Sequence, residues 1–111
     1  MQASLLRFYV HENQRCHARL LWEWMLAEAN RLGLRGGSAF RAMAGFGRHH
    51  HVHEERFFEL AGTQTVEVEF VVTDDEAEQL LALVTGEKLR VVYTRVLVEL
   101  GVLNPDANTA P

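Results

Sequence analysis

The chain holds one cysteine, Cys16, among its 111 residues. A lone cysteine excludes an intrachain disulfide and fits a reducing compartment. No apolar run approaches the ~20 residues a membrane-spanning helix needs, so direct membrane insertion is not expected. The first residues lack a basic region followed by an apolar stretch and a small-residue cleavage site; no signal peptide is read there, and a cytoplasmic location is expected. Positive charge is also short: 11 Lys and Arg face 15 Asp and Glu, for a formal net charge of -4. Arg7, Arg15, Arg19, Arg31, Arg35, Arg41, Arg48 and Arg56 are scattered among acidic neighbours, with no stripe that would mark a nucleic-acid footprint. A Gly-x-x-x-x-Gly-Lys loop is missing, which excludes ordinary P-loop phosphate chemistry. Catalysis has little to stand on. Sequence adjacency supplies no activated nucleophile, and Glu54-Glu55 and Asp74-Asp75 either point apart or cap a helix. The chain does not read as an enzyme.

What is present is an ordinary globular composition, 48% apolar and 23% charged. That length supports one core, expected over residues 1–100, followed by a loose polar tail over 101–111. Ser4–Val10 alternates as a strand, with Leu6, Phe8 and Val10 on one face. Residues 17–32 place Ala18, Leu21, Trp22, Met25, Ala29 and Leu32 at helical spacing, and Gly33 is placed to end that helix. Trp22 falls on this stripe and Trp24 off it. Ala39–Phe46 reads as a second strand and Thr65–Thr73 as a third. Thr73-Asp74-Asp75-Glu76 then has the form of a capping box opening a second helix, which carries Ala77, Leu80, Leu81 and Val84 on one stripe. Lys88–Leu100 reads as a long last strand.

The resulting order, βαββαβ, predicts a ferredoxin-like α+β fold: a four-stranded antiparallel sheet with two helices on one face. The opposite face is expected to hold Leu5, Tyr9, Met43, Val71, Val91 and Tyr93 beside Arg7, Arg41, Glu67, Glu69 and Arg95. Such a mixture is too apolar for water and too charged for a monomer core, so it predicts a subunit interface.

Residues 44–53, Ala-Gly-Phe-Gly-Arg-His-His-His-Val-His, form the segment richest in possible chemistry. Gly45 and Gly47 permit an abrupt strand end whose bare N–H groups, with Arg48, suit an anion. His49, His50, His51 and His53 offer imidazoles for Zn, Cu or Ni. In an extended segment His49, His51 and His53 share a face, yet they span about 13 Å at ~3.3 Å per residue, too far for one ion without bending. A solvated His-rich loop is the plain alternative. Earlier in the chain His11 and His17 flank Cys16, a Cys/His pair with metal-ligating potential or simply a polar helix entry.

Several segments together give the chain a family resemblance. Leu6-Arg7-Phe8-Tyr9, Arg31-Leu32-Gly33-Leu34, Gly37-Ser38-Ala39-Phe40-Arg41-Ala42, the Gly45-Phe46-Gly47 hinge and Val66–Val72 follow the order and spacing of a PII-like family known as domain of unknown function 190. The resemblance covers roughly residues 4–100. It implies a ferredoxin-like protomer, a homotrimer, and membership of the PII and divalent-ion-tolerance superfamily, whose relatives bind nucleotides or metals in clefts between subunits. Residues 48–64 contain no tyrosine, so the modification that PII loops undergo is not expected. Gly86-Glu87-Lys88 resembles the PII phosphate-binding turn with one glycine lost, and keeps Lys88. Val98-Glu99-Leu100-Gly101 stands where PII proteins carry a terminal basic pair; Arg95 replaces it only if the register slips. The resulting expectation is a regulator that binds a small anionic ligand, an adenine nucleotide first among candidates, through Gly45, Gly47, Arg48, Lys88 and Arg95. The 45–56 loop would then signal to a partner such as a membrane transporter or channel. The alternative is a metal-binding protein built on the loop histidines.

Overall fold

A computed structural model of the chain describes residues 1–46 and 64–108. The elements run β1 (Gln2–His11), β2 (Arg15–Cys16), β3 (Arg19–Leu20), α1 (Leu21–Arg31), β4 (Gly37–Arg41), β5 (Thr65–Val72), α2 (Asp74–Gly86) and β6 (Val92–Glu99). Strands β2 and β3 make a small separate hairpin. The other four form one antiparallel sheet in the order β4-β5-β1-β6. This is the ferredoxin-like α+β arrangement expected from the sequence.

Alternation in β1 and β5 builds the core. Leu6, Phe8 and Val10 lie opposite Phe70, Val68 and Val66, and all six are buried against the helices. The Phe8 and Phe70 rings meet edge to face at 6.2 Å. From α1 come Leu21, Trp24, Met25 and Ala29, and from α2 come Ala77, Leu80 and Val84. Each large side chain removed from water this way contributes about 1.5–3 kcal/mol. The capping box forms as the sequence indicates. The Glu76 N–H donates to Thr73 Oγ1 at 3.2 Å, and the Thr73 N–H donates to Glu76 Oε1 at 2.9 Å. Past α1, Gly33 takes a left-handed φ of 81°, and the Leu34 N–H reaches back to the Ala29 carbonyl at 3.1 Å. Gly37 is required for a different reason. It lies opposite Phe70, and a Cβ there would sit 2.5 Å from the aromatic ring.

Several sequence expectations need correction. Residues 17–20 belong to the β2–β3 hairpin rather than to α1, because His17 and Ala18 both adopt positive φ, 54° and 62°, and turn the chain. The helix proper starts at Leu21, whose N–H is met by the Gln14 carbonyl at 2.6 Å. Its buried stripe runs i, i+3, i+4, i+8 from Leu21. That spacing takes in Trp24 and leaves Trp22 half-buried at the margin, the reverse of the expected assignment. Strand β4 stops at Arg41, opposite Val66, since β5 begins at Thr65 and offers little further to pair with. The last strand begins at Val92 rather than Lys88: a left-handed Lys88 (φ 58°) uses the preceding residues as a turn.

The face assignment also changes. Tyr93 lies opposite Phe8 and Arg95 opposite Leu6, which places both on the helix side of the sheet. By the same parity Arg41, opposite Val66, belongs there, and Val91 packs against the core. Met43 falls beyond β4 and is 96% exposed. The open face therefore carries Leu5, Arg7 and Tyr9 from β1, Ser38 and Phe40 from β4, Glu67, Glu69 and Val71 from β5, and Val92, Thr94 and Val96 from β6. Arg7 bridges Glu67 at 3.5 Å and also pairs with Glu69, so the charged centre of this face is ion-paired across strands with one negative charge in excess. Its mixed character stands, with different members.

Candidate functional site

Three connections gather at one end of the sheet. β1 ends at His11 opposite Thr65, β4 ends at Arg41 opposite Val66, and β6 starts at Val92 opposite Tyr9. The β1–α1, β4–β5 and α2–β6 connections thus emerge as neighbours. Antiparallel pairing around a central β1 makes this unavoidable. Arg41 is held by Glu12, and the Ala42 N–H donates to the Thr65 carbonyl at 2.9 Å, closing the last rung before the hinge. Gly45 and Phe46 follow in exposed positions. Gly47, Arg48, His49, His50, His51 and His53 lie outside the described residues.

Lys88 stands at this same end. The Glu87 N–H bonds to the Val84 carbonyl and the Lys88 N–H to the Thr85 carbonyl, both at 3.1 Å, so the helix end is wound tightly beneath it. The exposed Lys88 ammonium makes no ion pair among the described residues. Arg95 is placed elsewhere. Its Nη2 meets Asp74 Oδ1 at 3.0 Å, its Nη1 meets Glu78 Oε1 at 3.4 Å, and its Nε donates to the buried Ser4 hydroxyl at 3.1 Å. Those partners occupy the first turns of α2, whereas Lys88 follows its last turn. A helix of 13 residues separates the two ends by about 20 Å at 1.5 Å per residue. One chain therefore does not bring Lys88 and Arg95 together. An open cleft of about 390 Å³ lies by Leu5 between the start of β4 and the end of β5, another of about 440 Å³ lies along the start of β1 and the end of β6, and neither is lined by Gly45, Lys88 or Arg95.

A second constellation occupies the hinge end. Cys16 and His17 come from the β2–β3 hairpin, and Glu87 arrives from the α2–β6 turn seventy residues later. The His17 Nε2 lies 2.8 Å from Glu87 Oε1, and the Cys16 thiol donates to the same oxygen at 3.6 Å. Burial, reinforced by the Glu87 charge, pushes the Cys16 thiol above its ordinary value. Stacking on Trp24 (ring centroids 5.7 Å apart, 25° between planes) fixes the His17 ring. The sequence offers Cys16 with His11 or His17 as a pair. His11 instead ends β1 across from Thr65 and takes no part. Glu87 is not legible as a partner, since nothing local links residues 16 and 87. Only the adjacency of β1 and β6 reveals it.

The profile of the family DUF190, described as "Uncharacterized ACR", matches residues 3–99. The chain belongs to this family. A DUF190 relationship also fits the similarity to a curated relative, the "UPF0166 protein" of Aquifex aeolicus (strain VF5). The two are 26% identical over 101 residues, which cover 84% of this chain and 96% of the relative. Among solved structures, the fold matches a crystal structure described as a candidate PII-like signaling protein from Thermus thermophilus. That match has a TM-score of 0.59 and 17% identity, and covers 88% of each chain. At that identity the likeness establishes the fold. No helix among the described residues of this DUF190 chain is long and apolar enough to cross a membrane.

Proposed function

We propose that this DUF190 chain is a PII-like regulatory protein that assembles as a homotrimer, senses a small anionic ligand between its copies, and signals through the 45–56 loop. One observation carries the reading: among the described residues, β6 exposes apolar side chains on both of its faces. Val92 and Val96 are 49% and 54% exposed on the open side, and Tyr93 and Leu97 are 48% and 77% exposed on the helix side. Among the described residues the helices pack over β1, β4 and β5 and meet this edge strand through the Arg95 pairs with Asp74 and Glu78, leaving its apolar side chains exposed. An apolar edge strand without cover invites another chain, and a closed symmetric assembly is the usual way to satisfy it.

Self-association along β6 turns the adjoining hinge end into a cleft between copies. Lys88 then supplies a point charge, and Gly45, Gly47 and Arg48 supply backbone N–H groups and a guanidinium for a phosphate. Arg95, held by Asp74 and Glu78, serves this site only from a neighbouring copy. An adenine nucleotide is the ligand class to test first. The ordered loop would dock on a transporter or channel from the cytoplasmic side, as a regulator rather than an enzyme. The likeness to a PII-like fold supports the same architecture.

Isothermal titration of the assembled protein with ATP, ADP, AMP and cyclic nucleotides tests the reading. Binding by one of them, weakened tenfold or more in Lys88→Ala, is the expected result. Silence across the whole set at millimolar ligand removes the nucleotide assignment.

A further inference from the structure

The Cys16, His17 and Glu87 side chains converge without any role in the reading above, and their ligand atoms all lie within 4.8 Å of one another. We propose that Cys16 Sγ, His17 Nε2 and a Glu87 carboxylate oxygen form a binding site for a zinc-class divalent cation, joining the β2–β3 hairpin to the α2–β6 turn.

Two of the three ligand–ligand edges lie near those of tetrahedral zinc, and the third, Sγ to Nε2, lies within 4.8 Å. Bonds of about 2.3 Å to sulfur and about 2.1 Å to nitrogen or oxygen set a tetrahedral S···O edge near 3.6 Å and an N···O edge near 3.4 Å. Here Sγ and Oε1 stand 3.6 Å apart, so that edge is already in place. Nε2 and Oε1 are hydrogen-bonded at 2.8 Å and need to open by about 0.6 Å. The Glu87 side chain is only partly buried and follows a helix end, so a shift of that size requires no core rearrangement.

Donor chemistry narrows the cation. A thiolate and an imidazole favour zinc-class ions over Mg²⁺ or Ca²⁺, which select oxygen ligands. Uptake releases the thiol proton to solvent, so the bound site carries a thiolate and a carboxylate against the dication. Three protein ligands leave a fourth position for water or an incoming anionic donor. The Trp24 stack and the left-handed backbone at His17 orient the imidazole before any ion arrives, which lowers the ordering cost of binding. The site uses none of His49, His50, His51 and His53 as ligands. It requires neither nucleotide binding nor the loop.

The test is a Co²⁺ titration of the full chain in which those four loop histidines are replaced by alanine. One Co²⁺ per chain with thiolate-to-cobalt charge-transfer absorption, displaced by Zn²⁺, is expected. Cys16→Ser should abolish that absorption, and His17→Ala and Glu87→Gln should each weaken binding at least tenfold, with circular dichroism confirming the fold. Should Cys16→Ser fail to fold, the partly exposed Glu87→Gln carries the test alone. Absence of the thiolate band in the parent, or unchanged affinity in Glu87→Gln, overturns the site.

Discussion

Gly37→Ala is the substitution whose cost the structure fixes most tightly. Gly37 opens β4 directly across from Phe70, on the helix side of the sheet. A Cβ at this position would lie 2.5 and 2.6 Å from two carbons of the Phe70 ring and 3.1 Å from a Leu26 methyl. Carbon atoms are comfortable at about 3.5–4.0 Å, so roughly 1 Å of separation must be found. Phe70 is 1% exposed and pinned edge-on against Phe8, which leaves it no room to retreat. Strand β4 must lift instead, loosening the rungs from Gly37 to Arg41 that position the hinge. Overpacking of this kind costs about 1–3 kcal/mol, and a backbone-anchored clash against a fixed ring belongs in the upper half. With m near 1–3 kcal/mol/M, the urea midpoint should fall by about 1 M. Two neighbouring glycines provide internal scale. Gly36 has nothing within 4 Å of a built Cβ and no positive φ, so Gly36→Ala should stay within about 0.5 kcal/mol of wild type. Gly33→Ala meets no atom but strains a φ of 81°, for roughly 1 kcal/mol. All four proteins are compared at one concentration, since assembly contributes to apparent stability. Gly37→Ala proving as benign as Gly36→Ala would refute the close approach.

The capping box makes Thr73→Ala worth about 1 kcal/mol, read as a shifted urea midpoint with unchanged m; a null effect would mean that water replaces both bonds without loss. The Arg31 guanidinium, hydrogen-bonded at 2.9 Å, holds the Glu28 carboxyl below its ordinary value. A depressed carboxyl stabilises the fold above its unfolded value and loses that contribution as pH falls through the folded one. Urea midpoints should therefore decline between about pH 5 and pH 3 in wild type and more shallowly in Glu28→Gln. Parallel curves would show that the pair does not persist in solution. On β6, Leu97→Asp places a charge on a side chain that is 77% exposed in the isolated chain, so it should fold normally yet weaken association. Burying a leucine contributes about 1.5–3 kcal/mol, and the loss recurs in every copy.

The sequence is most informative where local rules and tertiary demands agree. Leu6, Phe8 and Val10 against Val66, Val68 and Phe70 show the period of a half-buried strand, and the topology follows from their order. Thr73 and Glu76 form a complete local instruction needing no distant partner. β6 is harder. Its residues 92–98 are apolar or bulky on both faces, so alternation does not reveal which side meets the helices, and it points Tyr93 and Arg95 to the wrong one. Trp22 and Trp24 exchange places because the hairpin turn at His17 and Ala18 starts the helix later than its apolar spacing suggests. Such a turn usually shows Asn or Gly, and neither residue announces it. Glu87 is invisible as a neighbour of Cys16 because the contact depends on the completed sheet. The proposed anion site has the same character. Lys88 and the hinge are legible as residues, but whether they meet depends on a second copy of the chain.

Assembly is therefore the point on which the functional reading turns. Sedimentation equilibrium of the wild-type chain, taken over a wide concentration range beside Leu97→Asp, tests it most directly. The expected wild-type species has three times the 12.6 kDa chain mass, with Leu97→Asp shifted toward single chains. A wild-type species of 12.6 kDa at every concentration would contradict the proposed cleft and the ligand it was built to hold.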